Sequence, residues 1–446
     1  MTGPSSPTSV STKLQRIAEL ARRVPKVVLT TLAHHIDVDF LREAHRLTRK
    51  GGATGVDGTT AEEYALNLEG NLQALLNRFK TGEYRAPPVK RVHIPKGDGK
   101  LRPLGIPTFE DKVLQRAVTM VLGAVYEQDF LPCSFGSRPG RSAHNALSTL
   151  RNGLMEMKGG WVLELDIERF FDTLDRSHLR NFLDQRVRDG VLRRAIDKWL
   201  KAGVLEKGEL SHPDSGTPQG GVISPLLANI FLHHVLDEWF ESEVKPRLAG
   251  PAFLVRYVDD AVIAFASKED AQRVMDVLPK RFGKYGLTLH PEKTRLVQFR
   301  RPALERGGPE GNGGAEAFDL LGFTHHWVTS KRGYWVIKQK TAKNRFQRAL
   351  KRITEWCKEH RHMPVHKQQQ ALVQKLNGHC GYYGITGNSR AVSRFSHWVR
   401  AIWRKWLDRR SQHRHMPWER FKRLLERYPL PTPTLRPPLY RHAAKP

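Results

Sequence analysis

The sequence predicts an α+β protein in two parts, and three observations predict it. Between about residue 89 and residue 299, short runs of apolar, β-branched and aromatic residues alternate with amphipathic helical patterns. From about residue 340 that alternation stops and long basic helices follow. The length of 446 residues exceeds what one hydrophobic core supports, while 39% hydrophobic residues supply ordinary cores. Four segments are expected: a polar leader entering a helix (1–35), a mixed strand-and-helix region (36–330), a helical domain (331–428) and a proline-rich tail (429–446).

Each element has its own signal. Helix patterns over 36–80 are broken by the turn GGATGVDG at 51–58. The stretch VHIPKGDGKLRPLGI at 92–106 reads as a hairpin, with Lys96, Lys100 and Arg102 around a Gly-Asp-Gly tip. In WVLELDIERFFD, Val162, Leu163, Leu165 and Ile167 make a strand that delivers Asp166 at its end. FLVRYVDDAVIAF at 253–265 reads as strand, tight turn, strand, with Asp259 and Asp260 at the turn. A Gly-rich loop fills 300–317, and FDLLGF with GYWVIK reads as a further hairpin. The tail, YPLPTPTLRPPLYRHAAKP, cannot continue a helix and is expected to be loosely extended.

Charge narrows the partners. The 74 Lys and Arg against 45 Asp and Glu leave a formal charge of +29, which suits a polyanion. Residues 340–428 hold 22 Lys and Arg against 5 Asp and Glu, an excess of 17 in a fifth of the chain. Within it, Val392, Phe395, Val399, Ile402 and Trp406 recur at helical spacing, while Arg390, Arg394, Arg400, Arg404 and Lys405 fall mainly on the other side. One such helix is equally compatible with a solvated surface; the concentration over several helices points to RNA or DNA. No apolar stretch approaches the ~20 residues of a membrane span, so no membrane partner is expected. The N-terminus has no signal-peptide core, and Cys133, Cys357 and Cys380 have neither CxxC spacing nor an even count. A reducing cytoplasm follows, without disulfides or a cysteine zinc site. His325 with His326 and His413 with His415 lack partner spacing and read as surface or satisfied residues.

Taken alone, an aromatic-Val-Asp-Asp sequence is also what an ordinary Asx-type turn looks like. With Asp166, three carboxylates become available, and grouped carboxylates need hard divalent cations such as magnesium or manganese. Two such cations can stabilise both oxygens of an in-line phosphoryl displacement. That chemistry fits polymerases, nucleases and phosphatases alike.

The ordered series VHIPKGDGKLRPLGIPTFEDKVLQ, SFGSRPGRSAHNAL, LDIERFFD, GTPQGGVISPLLANIFL, RYVDD, GLTLHPEKTRLVQF and FDLLGF resembles the block sequence of group II intron-encoded reverse transcriptases, also called intron maturases. The likeness runs in the family's order over roughly residues 50–428. It implies a right-hand polymerase with fingers, a palm built on an antiparallel sheet, and a helical thumb, the maturase or X domain. By this resemblance Asp166, Asp259 and Asp260 are the catalytic, metal-binding aspartates, with the Ile167 carbonyl as an added ligand and Asp260 the more peripheral. Two Mg2+ ions, replaceable by Mn2+, are the implied cofactor. Lys96 and Arg102 would meet the triphosphate, Gln219 would line the nucleotide pocket, and Phe171 would exclude a 2′ hydroxyl. Without the resemblance Phe170 and Phe171 read as ordinary core. Arg138 and Arg141 are expected to touch template or nucleotide, and Tyr382 and Tyr383 the primer–template or intron RNA.

The implied partners are group II intron RNA, an RNA template with a DNA primer, dNTPs and target DNA. Only 18 residues follow Tyr428, so no endonuclease with an HNH core is expected there, and priming from a nascent strand at a replication fork is the expected route. Two other readings share these blocks: a related reverse transcriptase recruited for host defence or repair, and an RNA-binding splicing factor with an idle polymerase. The presence of Asp166, Asp259, Asp260, Lys96 and Arg102 argues against the last.

Overall fold

The computed structural model describes residues 7–25, 27–95, 101–206, 208–211, 216, 220–302, 316–411 and 415–435. Lys96 and Gln219, both expected at the nucleotide, lie outside the described residues, as does His413. The chain divides into two compact units, Met1–Ala146 with Val162–Leu296, and Leu147–Trp161 with Val297–Pro446. This division falls ahead of the expected boundary at 330/331. The strands after the Gly-rich loop bury their apolar faces within the second unit, so they go with the helices that follow them.

The first unit is α+β. Helices Pro7–Arg23 and Val38–Leu47 pack on the long helix Phe109–Tyr126, whose Val113, Leu114, Val118, Val121 and Leu122 are buried. Thr108 caps that helix by accepting from the Asp111 N–H. Strands β1 (Val89–Pro95) and β2 (Leu101–Ile106) form the expected antiparallel hairpin, in register from Lys90 opposite Ile106 to Pro95 opposite Leu101. β1 continues into a short parallel pairing with β4 (Val204–Glu206), which pairs with β5 (Glu209–Ser211). The second sheet has the order β6-β7-β3-β8, from β3 (Gly159–Leu165), β6 (Ala252–Tyr257), β7 (Asp260–Phe265) and β8 (Arg295–Arg300). β6 and β7 are antiparallel, Tyr257 opposite Asp260, so the turn between them consists of Val258 and Asp259 alone.

The second unit holds a three-stranded antiparallel sheet, β9 (Phe318–Leu320), β10 (Phe323–Thr329) and β11 (Trp335–Thr341), one strand more than the expected hairpin. His325 is neither at the surface nor satisfied: it is fully buried, stacked on Phe318, and both ring nitrogens lack hydrogen-bond partners. Burial pushes its pKa down to about 3. Four helices follow, Lys343–Glu359, Val365–Tyr383, Ser389–Asp408 and Trp418–Arg427. Val392, Phe395, Val399 and Trp406 face the core as their spacing predicts, beside Trp403 and Phe421. Gln368 ties this core together: its amide donates to the carbonyls of His360, Arg361 and Met363, and its oxygen accepts from Trp403 Nε1. The start of the tail is anchored rather than loose, with Leu430 buried in the same core.

Candidate active site

The sheet order sets β7 beside β3, so the end of β3, followed by Asp166, neighbours the start of β7, where Asp259 and Asp260 stand. Asp259 senses its neighbours electrostatically. Burial pushes its carboxyl above the usual value, its own backbone hydrogen bond and the Arg102 charge oppose the rise, and the Asp166 charge adds to it. A buried carboxylate whose ionisation a neighbouring carboxylate makes costlier is a fit for divalent cations, which remove that cost. Arg102, on β2, therefore faces the same centre.

Asp166 is held from the GLTLHPEKT segment. Its carbonyl accepts from the His290 N–H at 2.8 Å, and Glu168 N–H donates to Thr288 at 2.8 Å. These bonds flank Ile167, which bridges to Leu289, and the Ile167 carbonyl takes no part in them. The Asp166 carboxylate accepts from Lys293 Nζ at 2.7 Å. No role for Lys293 follows from the sequence, although its block was recognised.

Beneath the Val258–Asp259 turn lies Arg256, fully buried. All five of its N–H groups donate: Nε to Asp237 Oδ1 at 2.7 Å, one terminal nitrogen to Asn229 at 2.9 Å and the Val258 carbonyl at 2.9 Å, the other to Asp237 Oδ2 at 2.6 Å and Ser134 Oγ at 2.9 Å. Asn229 donates in turn to the Gly136 carbonyl at 2.7 Å. Val258 has φ +58°, a left-handed conformation unfavourable for a β-branched residue, worth about 1–3 kcal/mol of strain. Arg256 pins its carbonyl there.

The SFGSR segment is the other half of this support. Ser134 pairs with Arg256 as an added strand position, and a Cβ on Gly136 would meet Val258 N and Cγ2 at 2.5 Å. Gly136→Ala is therefore expected to push the turn off its position, costing about 1–3 kcal/mol and lowering primer extension roughly a hundredfold. Melting and extension assays on the purified variant check both.

Two glycines of GTPQGG join other parts of the site. Gly216 (φ +81°) approaches the Phe171 and Asp172 carbonyls, which a Cβ would meet at 2.7 and 2.6 Å, and Gly220 (φ +112°) packs on β2, where a Cβ would meet the Gly105 carbonyl at 2.5 Å. Phe171 itself is half-buried, edge-on to the buried Phe170 at 5.3 Å.

Several residues expected to meet nucleic acid have partners within the protein. Arg138 is 6% exposed; its guanidinium binds the Glu127 carboxylate at 3.0 Å and the carbonyls of Leu131 and Ser134 at 2.8 and 2.9 Å, so it fastens the segment below the turn. Arg141 is half-buried over the Phe135 ring and donates to the Pro132 carbonyl. Tyr382 donates to the Leu321 carbonyl at 2.7 Å, and Tyr382 and Tyr383 both pack on Phe323. Both are part of a local core. Arg400 donates to Ser396 and the Pro431 carbonyl, and Arg404 stacks on Trp418 at 4.5 Å and donates to Met416. Arg390, Arg394 and Lys405 are exposed, as expected.

The model for the family described as reverse transcriptase (RNA-dependent DNA polymerase) matches residues 94–325, just over half of the chain. Residues 344–425 match the group II intron, maturase-specific domain. This chain belongs to the group II intron reverse transcriptase and maturase family. Group II intron-encoded protein LtrA of Lactococcus lactis subsp. cremoris is 28% identical over 465 aligned positions, covering 86% of this chain and 75% of LtrA. Protein YkfC of Escherichia coli is 38% identical over 231, covering 50% of this chain and 61% of YkfC. The chain also resembles a putative COX1/OXI3 intron 1 protein of Saccharomyces cerevisiae, 28% identical over 312 positions, 58% of this chain and 37% of that protein. Within this reverse transcriptase and maturase, the aspartate centre and its buried Arg256 support lie inside the first matched region, and the basic helices inside the second.

The raised Asp259 carboxyl carries a prediction about the metal-free protein. A carboxyl raised by the fold adds stability below its ordinary value that is lost as pH rises through the raised one. Asp259→Asn is thus expected to melt above wild type at neutral pH in chelator, the difference closing as Asp259 protonates in acid. Melting scans across a pH series check it.

Proposed function

We propose that the chain is an RNA-directed DNA polymerase that also binds its group II intron RNA to assist splicing, and that copies that RNA for retrohoming. The observation that supports the reading is that Asp259, in the two-residue turn ahead of β7, lies close enough to Asp166 and Arg102 to respond to both charges. Asp166, Asp259, Asp260 and the Ile167 carbonyl would hold two divalent cations, magnesium with manganese able to replace it. When bound, these supply a lowered charge barrier for attack of a primer 3′ oxygen on the α-phosphate of a dNTP. Arg102, together with Lys96, offsets negative charge on the departing pyrophosphate. Phe171 and Gln219 border the sugar of the incoming nucleotide.

The exposed Arg390, Arg394 and Lys405 give the second unit a basic face for RNA phosphates. In splicing assistance the protein steadies the folded RNA, and the RNA performs the transesterification. Among the described residues no helix is long and apolar enough to cross a membrane. A cytoplasmic site, with an RNA template, a DNA primer and target DNA as partners, completes the reading.

The test is primer extension by the wild-type protein on an RNA template with magnesium, alongside splicing of the flanking RNA at low magnesium with and without protein. Absence of extension sinks the polymerase reading; splicing indifferent to the protein sinks the maturase reading. Phe171→Val is expected to admit ribonucleotides by opening space beside the sugar 2′ position, and unchanged nucleotide selectivity would remove that role from Phe171.

A further inference from the structure

The helix that begins at Ser224–Leu232 widens into a π-helix over His233–Asp237. There the Glu238 N–H donates to the His233 carbonyl, an i to i+5 bond that brings Glu238 under His233 and His234. Such π segments occur often at functional sites. One ligand atom from each of His233, His234 and Glu238 lies within 4.8 Å of the others. His233 Nε2 is 3.4 Å from Glu238 Oε1, and His234 Nδ1 is 2.6 Å from Glu238 Oε2.

We propose that His233, His234 and Glu238 form a binding site for one divalent transition-metal ion of the zinc class, separate from the catalytic aspartates. Two imidazoles and a carboxylate are an established zinc ligand set, and bonds of about 2.0–2.1 Å in a tetrahedron place ligand atoms about 3.4 Å apart. Glu238 faces His233 Nε2 through Oε1 and His234 Nδ1 through Oε2, so a shared ion would take the carboxylate through both oxygens or draw both imidazoles toward one of them. Imidazole nitrogens select zinc, cobalt or nickel over magnesium, which distinguishes this site from an all-oxygen one.

A second observation comes from His233. Its side chain is 3% exposed and Nδ1 has no hydrogen-bond partner. Either neutral tautomer therefore leaves one nitrogen facing the wrong group: a proton on Nε2 strands the Nδ1 lone pair, and a proton on Nδ1 turns the Nε2 lone pair toward a carboxylate. A cation on Nε2 resolves this, with the Nδ1 proton directed toward the Asp237 carboxylate 4.0 Å away, in the carboxylate–histidine–metal order common around bound metals. The rings are already oriented, His234 stacked on Phe182 at 4.7 Å and His233 edge-on to Phe130 at 5.5 Å. Arg281 donates to the His234 and Val235 carbonyls, fixing the π segment from outside. Glu238 is half-exposed and leaves an entry for the ion. The same π segment carries Asp237, the partner of Arg256, so the ion would brace the support of the catalytic turn.

The test uses full-length protein with Asp166→Asn, Asp259→Asn and Asp260→Asn, which silences the catalytic carboxylates. After chelator treatment it is titrated with Co2+ alone, followed by visible ligand-field absorption, and with Zn2+ alone, followed by melting. One Co2+ per chain with tetrahedral-type bands, displaced by Zn2+, and a zinc-dependent rise in melting temperature are expected. Adding Glu238→Gln or His234→Ala should weaken binding more than ~10-fold and remove that rise. Both side chains are partly exposed, and metal-free melting of each variant verifies its fold. Absence of bands in the silenced protein overturns the proposal, as do bands that survive both substitutions.

Discussion

Asp259→Ala is expected to abolish primer extension while splicing assistance persists. Asp259 stands in the two-residue turn between β6 and β7, where burial and the Asp166 charge already make its ionisation costly in the absence of a cation. Removing it removes several kcal/mol of charge stabilisation from the displacement step, which at about 1.4 kcal/mol per decade is a loss of roughly 10^3-fold or more. Asp260→Ala, at the exposed first position of β7, is expected to lose less. The basic helices lie in the other compact unit, so RNA binding and splicing should match wild type. Single-turnover extension and splicing time courses on the same preparations check the separation. A splicing loss equal to the extension loss would falsify the assignment of the two activities to different surfaces.

Asp237→Ala has the largest expected effect on stability. It leaves the Arg256 guanidinium fully buried without its bidentate carboxylate, which costs about 3–5 kcal/mol and lowers the melting temperature by roughly 10 °C. The double substitution Arg256→Met/Asp237→Leu separates two roles. Replacing both charges with apolar groups restores much of the stability, yet nothing then holds the Val258 carbonyl, and the strained turn relaxes. Melting should recover while extension stays low. If extension recovers together with melting, Arg256 serves only the fold.

The placement of Asp166 and Asp259 at strand ends was legible because each signal is local: a strand pattern that delivers Asp166, and a hairpin pattern interrupted by Asp259. The basic hairpin was legible for the same reason. The support beneath the turn was not. An arginine inside an apolar strand reads as a surface position, and the partners of Arg256 in Asn229 and Ser134 lie 27 and 122 positions away. The resemblance of the SFGSRPGRSAHNAL block implies a template or nucleotide contact for Arg138; its carbonyl and Glu127 partners exist only once the segment has folded. Tyr382 and Tyr383 sit among glycines and basic residues, which resembles a stacking platform, but Phe323 and the Leu321 carbonyl claim them. The π segment at His233 escaped for a different reason. Helical periodicity assumes 3.6 residues per turn, and His233, His234 and Glu238 share a face only when one turn is wider than that.

The Lys293–Asp166 ion pair makes the resting centre a cation exchanger. Lys293 supplies the counter-ion that a carboxylate at that place requires, so on the proposed reading a divalent ion would enter by displacement, as on a charged resin, with the ammonium giving up Asp166. An exposed pair of this kind is worth only about 0.2–1 kcal/mol, which keeps the exchange close to balance. Activity should then follow the ratio of divalent to protein-borne cation at Asp166, with a divalent-cation threshold set by a side chain of the protein's own.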